Sequence, residues 1–190
     1  MNDANDAVPA VDGTCQECGF DYDALSDAEI PDSLRAFPRR FQAPLTRGLS
    51  GESLDELLRA HPLEAVWSAL EYACHVRDVF AVQRERIALT LTTDRPRYEP
   101  MGGVGRDELA IRERYNEQDP TEVAEQLAAN AEALAAAFDS LSDEQWARRG
   151  LYGYPEPTER DLRWIGRHTV HEGRHHLLDI GRVLRAARGR

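Results

Sequence analysis

Residues 168–180, with the sequence HTVHEGRHHLLDI, carry four of the six histidines of the chain, near the end of a long helical pattern. In an α-helix, side chains four residues apart lie on one face, with their Cβ atoms about 5–6 Å apart. Two such pairs overlap here with an offset of one residue: His171 with His175, and Glu172 with His176. Zinc binds imidazole nitrogen and carboxylate oxygen. Either pair therefore predicts two ligands for one divalent metal ion.

The apolar residues of the same helix distinguish the two pairs. Steps of three and four residues give one stripe, which consists of Leu162, Ile165, Thr169, Glu172, His176, Ile180 and Val183. This stripe is predicted to face the interior. His168, His171 and His175 form a second stripe, rotated by about 100°. Because burying a Glu–His pair without a partner is costly, we expect Glu172 and His176 to share a metal ion or a hydrogen-bonding network. The alternative is a helix with solvated histidines and one histidine packed in the core.

A second long helix is predicted from Pro62, a residue type that suits the first helical position, to about Leu91. Its apolar residues cover two faces about 100° apart, with Leu63, Val66, Trp67, Leu70 and Cys74 on one and His75, Val79 and Val82 on the other. A helix apolar over that breadth packs on two sides, as in a bundle. His75 is the histidine best placed to reach the last helix, and we predict it as the third ligand. Asp78 is predicted to hydrogen-bond a ligand or to be solvated.

The N-terminal sequence Cys15-Gln-Glu-Cys18-Gly19 has the form of a zinc knuckle, in which glycine permits the tight turn that directs both sulfurs to one ion. One knuckle supplies only half of a site. His171 and His175 would complete a closed Cys₂His₂ set, which is an alternative to the site above or a second site. A redox dithiol and two unliganded thiols are the competing interpretations.

The remaining patterns complete an all-α, four-helix bundle. A first amphipathic helix is marked by Leu34, Phe37, Phe41 and Leu45. A long crossover connection, residues 92–105, joins the second and third helices, and Asp119 caps the third. The segment 152–157 is aromatic and is expected to form the rim of a pocket, and Thr158 is predicted to begin the fourth helix. We expect two parts: residues 1–29, a polar tail with the CxxC knuckle, and residues 30–190, the bundle.

Length, charge and cysteine content exclude several classes of protein. The 190 residues suit one domain with a real core. The net charge of −11 argues against binding nucleic acid through phosphate contacts. No apolar run approaches the roughly 20 residues of a membrane span, and the polar, acidic N-terminus is unlike a signal peptide. Three cysteines, an odd number, argue against a disulfide framework. We expect a cytoplasmic protein without nucleic-acid or membrane partners.

The helix order, the long connection between the second and third helices, and two sequence stretches resemble the DinB-like superfamily. The stretches are EYACHVRD at 71–78 and HEGRHHLLDI at 171–180, and the likeness covers roughly residues 30–188. That superfamily includes bacillithiol-dependent S-transferases and mycothiol-dependent maleylpyruvate isomerase, which hold a divalent metal with three side chains from two helices. The resemblance to the isomerase branch implies a His, Glu, His set at His75, Glu172 and His176. The more common three-His version differs at Glu172, and the CxxC segment lies outside the shared core.

The resemblance implies an S-transferase or isomerase that uses a divalent metal to activate a low-molecular-weight thiol of the mycothiol type, or water. The expected cofactors are zinc, with nickel or iron as alternatives, and the thiol; the partners are that thiol and an electrophile. Arg77, Arg84 and Arg163 are candidates for binding carboxylates of the thiol. A homodimer is compatible with such a bundle. The alternative function is a non-catalytic metal-binding protein in which Cys15, Cys18 and the histidines of the second stripe form a structural zinc site.

One further motif match carries less weight. Residues 171–175 also fit the HExxH pattern of zinc metallopeptidases, in which two histidines bind zinc and the glutamate is the general base. Zincin families take a third ligand from downstream, and Asp179 is the only acidic residue that follows, one turn later. The spacing therefore does not favour a peptidase.

Overall fold

A computed structural model describes residues 13–63, 65–153 and 155–189. Residues 1–12 of the predicted polar tail, and Tyr154 of the predicted pocket rim, lie outside the described residues. Seven α-helices and one β-hairpin occur in the described part of the chain: α1 (Ile30–Thr46), α2 (Leu54–Arg59), α3 (Ala69–Thr92), α4 (Arg106–Arg112), α5 (Pro120–Asp139), α6 (Asp143–Trp146), β1 (Arg149–Tyr152), β2 (Thr158–Asp161) and α7 (Leu162–Ala187).

The four long helices form the bundle. Helix α1 packs against α5 and α7, and α3 packs against the same two helices, so each long helix has two long neighbours. The connection from α3 to α5 crosses the bundle and contains the short helix α4. This arrangement confirms the predicted four-helix bundle with a long connection between its second and third helices.

The core follows the periodicity of the sequence. The stripe of α1, which consists of Ile30, Leu34, Phe37, Phe41 and Leu45, is buried throughout. Opposite it, Phe80 of α3 lies with its ring 5.8 Å from that of Phe37. Steps of three and four residues place these side chains on one helical face, so that their burial removes a continuous apolar surface from water.

Two predicted helix starts were wrong, each because a stronger capping signal lies further along the chain. Helix α3 begins at Ala69 and not at Pro62, since Ser68 accepts a hydrogen bond from the Glu71 amide and forms a capping box with that residue. Helix α7 begins after Asp161, whose carboxylate accepts a hydrogen bond of 2.8 Å from the Trp164 amide. The residues from Thr158 to this cap instead pair with β1, in a hairpin that we did not predict because its strands are only four residues long.

Glycines of α7 allow α1 to approach closely. A Cβ atom added at Gly173 would lie 2.7 Å from two ring carbons of Phe37, and one added at Gly166 would lie 2.8 Å from Ile30 Cδ1. Gly173 lies between Glu172 and the pair His175 and His176. The distance between α1 and α7 at Gly173 therefore sets the position of those side chains. None of the helices in the described ranges is both long and apolar enough to cross a membrane.

Replacing Gly173 with alanine is expected to destabilise the fold. Alanine in a helix gains about 0.5–1 kcal/mol over glycine, but the added methyl group must displace the buried Phe37 ring, and overpacking costs about 1–3 kcal/mol. Gly181→Ala is the matched control on the same helix, because its Cβ atom would meet only the end of the Arg185 side chain at 3.5 Å. Urea denaturation followed by circular dichroism should show a lower unfolding free energy for Gly173→Ala and an equal or higher one for Gly181→Ala. Equal stabilisation by both substitutions would contradict this account of the close approach.

Candidate metal centres

Helices α3 and α7 bring His75, Glu172 and His176 together. One ligand atom from each of these side chains lies within 4.8 Å of the others. The Nε2 atom of His75 is 3.6 Å from Glu172 Oε2, and Nε2 of His176 is 3.5 Å from the same oxygen. Both histidines are buried, whereas the Glu172 side chain keeps 22% of its surface exposed. The predicted set is therefore convergent, and Glu172 is its most exposed member.

These separations suit coordination better than direct hydrogen bonding. Hydrogen bonds between nitrogen and oxygen are about 2.7–3.2 Å long, which is shorter than both contacts to Glu172. Two ligands that are each about 2.1 Å from one ion at a tetrahedral angle lie about 3.4 Å apart. Nε2 is thus the His75 nitrogen that faces Glu172, and Nδ1 is buried without a hydrogen-bond partner among the described residues. The three side chains therefore fit a divalent cation.

The charges of this cluster are coupled. Burial alone would raise the pKa of Glu172, but His176, His75 and His168 outweigh it and hold that pKa well below its ordinary value. Burial lowers the pKa of His75. An ionised carboxylate beside neutral imidazole is the protonation state that binds a divalent cation, and at neutral pH Glu172 and His75 are both in that state.

Asp179 fixes the orientation of His176. The Nδ1 atom of His176 donates to Asp179 Oδ2 over 3.0 Å, which leaves Nε2 directed at the cluster. Burial would lower the pKa of His176, but Asp179 and Glu172 outweigh it and raise the pKa to about 9. The metal-free protein thus carries a proton at Nε2 near neutral pH. Binding a metal through this nitrogen therefore releases a proton. A carboxylate behind a ligating histidine is the usual arrangement at metal sites.

Aromatic and cationic side chains border one side of the cluster. The Trp67 ring lies 5.2 Å from that of His75, and the Tyr72 ring lies 5.2 Å from that of His176. The guanidinium of Arg106, at the start of α4, lies over Trp67 at 5.5 Å. This side is therefore apolar near the histidines and positively charged beyond them. Sequence reasoning missed Arg106, because nothing in the crossover connection indicates where it folds back.

The other side is formed by the β-hairpin and the start of α7. His168 stacks on Trp164 with ring centroids 4.6 Å apart, and Tyr152 meets the His168 ring edge to face at 5.4 Å. Arg86 lies 5.0 Å from the centre of the Tyr152 ring. The Nε2 atom of His168 is 3.9 Å from Glu172 Oε1. The predicted aromatic rim is therefore beside the cluster at Tyr152.

A second group of ligand atoms converges on a neighbouring face of α7, rotated by about 100°. One atom each of Cys15, Cys18, His171 and His175 lies within 4.8 Å of the others. The two pairs recognised in the sequence therefore point to two different places, and the offset of one residue separates them. Burial raises the pKa of the Cys18 thiol, which is the reverse of the lowered pKa that redox-active CxxC thiols show.

Tyr22 links His171 of the second group to His168, which borders the first, and sequence reasoning missed it. Its hydroxyl oxygen is 3.0 Å from Nδ1 of His168 and 3.1 Å from Nδ1 of His171. One atom each of His168, His171 and Glu172 also lies within 4.8 Å of the others. This third combination takes one residue from each of the other two groups, and its two histidines already share Tyr22. The contact joins residues 146 positions apart, so no local sequence pattern could have indicated it.

Several candidates from the sequence are engaged elsewhere. Asp78 accepts hydrogen bonds from Arg77 at 2.7 Å and from the Tyr115 hydroxyl at 2.5 Å, and no contact joins it to the ligand groups. Arg163 binds Asp27 at 2.7 Å. Arg77 and Arg163 are therefore already paired with acidic side chains. Arg84 is exposed on α3.

Comparison with known proteins adds a family and a fold. The sequence profile of the DinB superfamily matches residues 40–180, a range that includes His75, Glu172 and His176 and leaves out the CxxC segment. The solved structure of YfiT from Bacillus subtilis, described as a probable metal-dependent hydrolase with an unusual four-helix bundle topology, matches with a TM-score of 0.73. The match covers 85% of this chain and 89% of that chain at 18% identity, so it shows the shared fold alone. Among curated proteins, none matches significantly.

Proposed function

The chain belongs to the DinB superfamily. From that premise we propose that it is a metal-dependent S-transferase or isomerase, in which the metal activates a low-molecular-weight thiol of the mycothiol type. His75, Glu172 and His176 hold the cation, which is zinc, or nickel or iron in its place. A cation in an open site of this kind lowers the pKa of a bound thiol or water and so supplies a nucleophile at neutral pH.

The convergence of these three side chains from two helices is the observation that carries the proposal. Three protein ligands leave a coordination position for a substrate, and the partly exposed carboxylate of Glu172 lies on the side that solvent reaches. A closed site with four protein ligands would have no such position. The geometry thus supports an open, catalytic type of site at this cluster.

The residues around the cation have distinct tasks in this proposal. Asp179 keeps the proton of His176 on Nδ1, so that Nε2 is available as a ligand. Trp67 and Tyr72, both half-buried, pack against the two histidines and restrict water there. Burial raises the pKa of Tyr72 to about 12, so its hydroxyl keeps its proton at neutral pH. Arg106 provides positive charge for a carboxylate of the thiol or of the electrophile.

Metal-dependent conjugation of a thiol tests this function. Protein stripped with a chelator and then reloaded with zinc, nickel or ferrous iron is incubated with mycothiol and monochlorobimane, and the fluorescent conjugate is followed. We expect the reloaded protein to react at least about tenfold faster than the stripped protein. Glutathione in place of mycothiol measures how far the reaction depends on the structure of the thiol.

A second assay separates thiol transfer from hydrolysis. The YfiT match suggests water as the alternative nucleophile, so p-nitrophenyl acetate is offered to the reloaded protein without a thiol. Metal-dependent ester hydrolysis without thiol conjugation would replace the transferase proposal with a hydrolase. If a cation binds at His75, Glu172 and His176 and neither reaction is accelerated, both the transferase and the hydrolase proposals are contradicted.

A further inference from the structure

The CxxC segment folds into a tight turn. The Cys15 amide donates to the Phe20 carbonyl at 2.8 Å, and the Gly19 amide donates to the Cys15 carbonyl at 2.9 Å. Gly19 has φ of +66°, a conformation that strains any residue with a Cβ atom. An isolated antiparallel bridge between Thr14 and Asp21 closes the turn. Both cysteine sulfurs are thereby held on one side of the segment.

This turn is docked on α7. Phe20 and Tyr22 are buried, and both rings contact that of His171, with centroids 5.5 and 5.4 Å apart. At the edge, Glu17 accepts a hydrogen bond of 2.9 Å from Arg182. Residues 13–29, assigned to a polar tail from their sequence, therefore contribute two aromatic side chains to the core. The docking brings the turn directly over the second histidine stripe.

The distances at this place are compatible with four ligands around one metal ion. Cys15 Sγ is 3.7 Å from His175 Nδ1, and ligands about 2.3 and 2.05 Å from a tetrahedral zinc ion lie about 3.6 Å apart. Nε2 of His171 is buried and has no hydrogen-bond partner among the described residues, although Nδ1 of the same ring is paired with Tyr22. An unpaired buried ring nitrogen is costly, and an ion bound between these four side chains would satisfy it.

We propose that Cys15, Cys18, His171 and His175 form a second, closed zinc site that pins the N-terminal segment to α7. Two thiolates and two imidazoles in a tetrahedral set are typical of structural zinc, and four protein ligands leave no position for a substrate. None of these ligands belongs to the His75, Glu172 and His176 set. Helix α7 would thus supply ligands to two ions, because its two neighbouring i, i+4 pairs face different directions.

Zinc binding at the second site would also affect a histidine beside the first site. If His171 binds zinc through Nε2, its proton is on Nδ1 and donates to the Tyr22 oxygen, and the Tyr22 hydroxyl then donates to His168 Nδ1. His168 consequently carries its proton on Nε2, directed at Glu172. The zinc ion would therefore fix the tautomer of a histidine that borders the open site, while taking no part in the reaction.

Cysteine alkylation tests the second site without any substitution. Zinc-loaded and chelator-treated protein are treated with iodoacetamide, and the labelled peptides are identified by mass spectrometry. We expect Cys15 and Cys18 to react at least about tenfold more slowly in the zinc-loaded protein. Cys74 is the internal control: it is buried in α3, so it stays unlabelled in both states while the bundle remains folded. Equal labelling of Cys15 and Cys18 in both states, or a disulfide between them, would overturn the proposal.

Metal content distinguishes failure of this site from failure of the proposed enzyme. Elemental analysis should give two zinc ions per chain for the wild type and for Cys74→Ser, and one for Cys15→Ser/Cys18→Ser. Cobalt-loaded protein should show a sulfur-to-cobalt charge-transfer band that the double cysteine variant lacks and Glu172→Gln keeps. A cysteine variant with unchanged zinc content, or a band that survives in it, refutes the closed site. Absence of thiol transfer in the presence of this band would refute only the enzyme.

Discussion

Replacement of Glu172 with glutamine is expected to remove the metal ion from the open site and to lower the metal-dependent rate to that of the stripped protein. Glutamine keeps the size of the side chain but removes the negative charge that lies 3.6 and 3.5 Å from the two histidine nitrogens. Loss of an outer-shell partner costs about 10–100-fold in metal affinity or activity, and loss of a charged ligand should exceed that range. Titration of the stripped variant with zinc measures the effect: it should bind one equivalent, at the cysteine site, where the wild type binds two.

Two control variants test whether the effect of Glu172→Gln is specific to the open site. Glu125→Gln, on the exposed face of α5, makes the same chemical change away from the cluster and should leave zinc content and rate unchanged. Asp179→Asn retains the three ligands and weakens the hydrogen bond that orients His176, so a smaller loss at the open site, within about 10–100-fold, is expected. If Glu172→Gln binds zinc as tightly as the wild type does, the third combination of His168, His171 and Glu172 fails together with the first.

The parts of the site that depend on residue spacing within one helix could be predicted from the sequence. The i, i+4 spacing placed Glu172 and His176 on one face of α7, and the apolar stripe separated them from His171 and His175. Only the choice of His75 depended on the bundle, since a lone histidine on a long helix does not specify the neighbour that it faces. The structure brings this histidine to the predicted pair, and its role as a ligand stays a prediction.

Long-range contacts account for the features that sequence reasoning missed. Tyr22 meets His168 and His171 only because Phe20 and the turn before it dock on α7. Arg106 reaches Trp67 only because the crossover connection folds back towards α3. Such contacts depend on packing between segments far apart in the chain, and the apolar periodicity within one segment carries no information about them.

Substitution of Phe37 with alanine is expected to destabilise the fold strongly and to weaken zinc binding at the open site through the core. Its ring is buried between Phe80 and Gly173. Truncation of a buried phenylalanine costs about 3–5 kcal/mol, a large share of the roughly 5–15 kcal/mol that stabilises a domain. The resulting cavity faces Gly173, so α7 can shift at the residues that flank Glu172, and affinity for zinc at the open site should fall as well. Urea denaturation and zinc titration on the same samples measure both effects.

Phe138→Ala separates the two consequences. Phe138 is also buried, stacks on Trp146 at 5.1 Å and faces α7 at Gly166, about two turns before the ligands. It should therefore lose similar stability, about 3–5 kcal/mol, and keep the zinc affinity of the wild type at temperatures where both variants remain folded. Equal loss of affinity in the two variants would mean that zinc binding follows global stability. Loss in Phe37→Ala alone would mean that contact between α1 and α7 at Gly173 sets the geometry of the site.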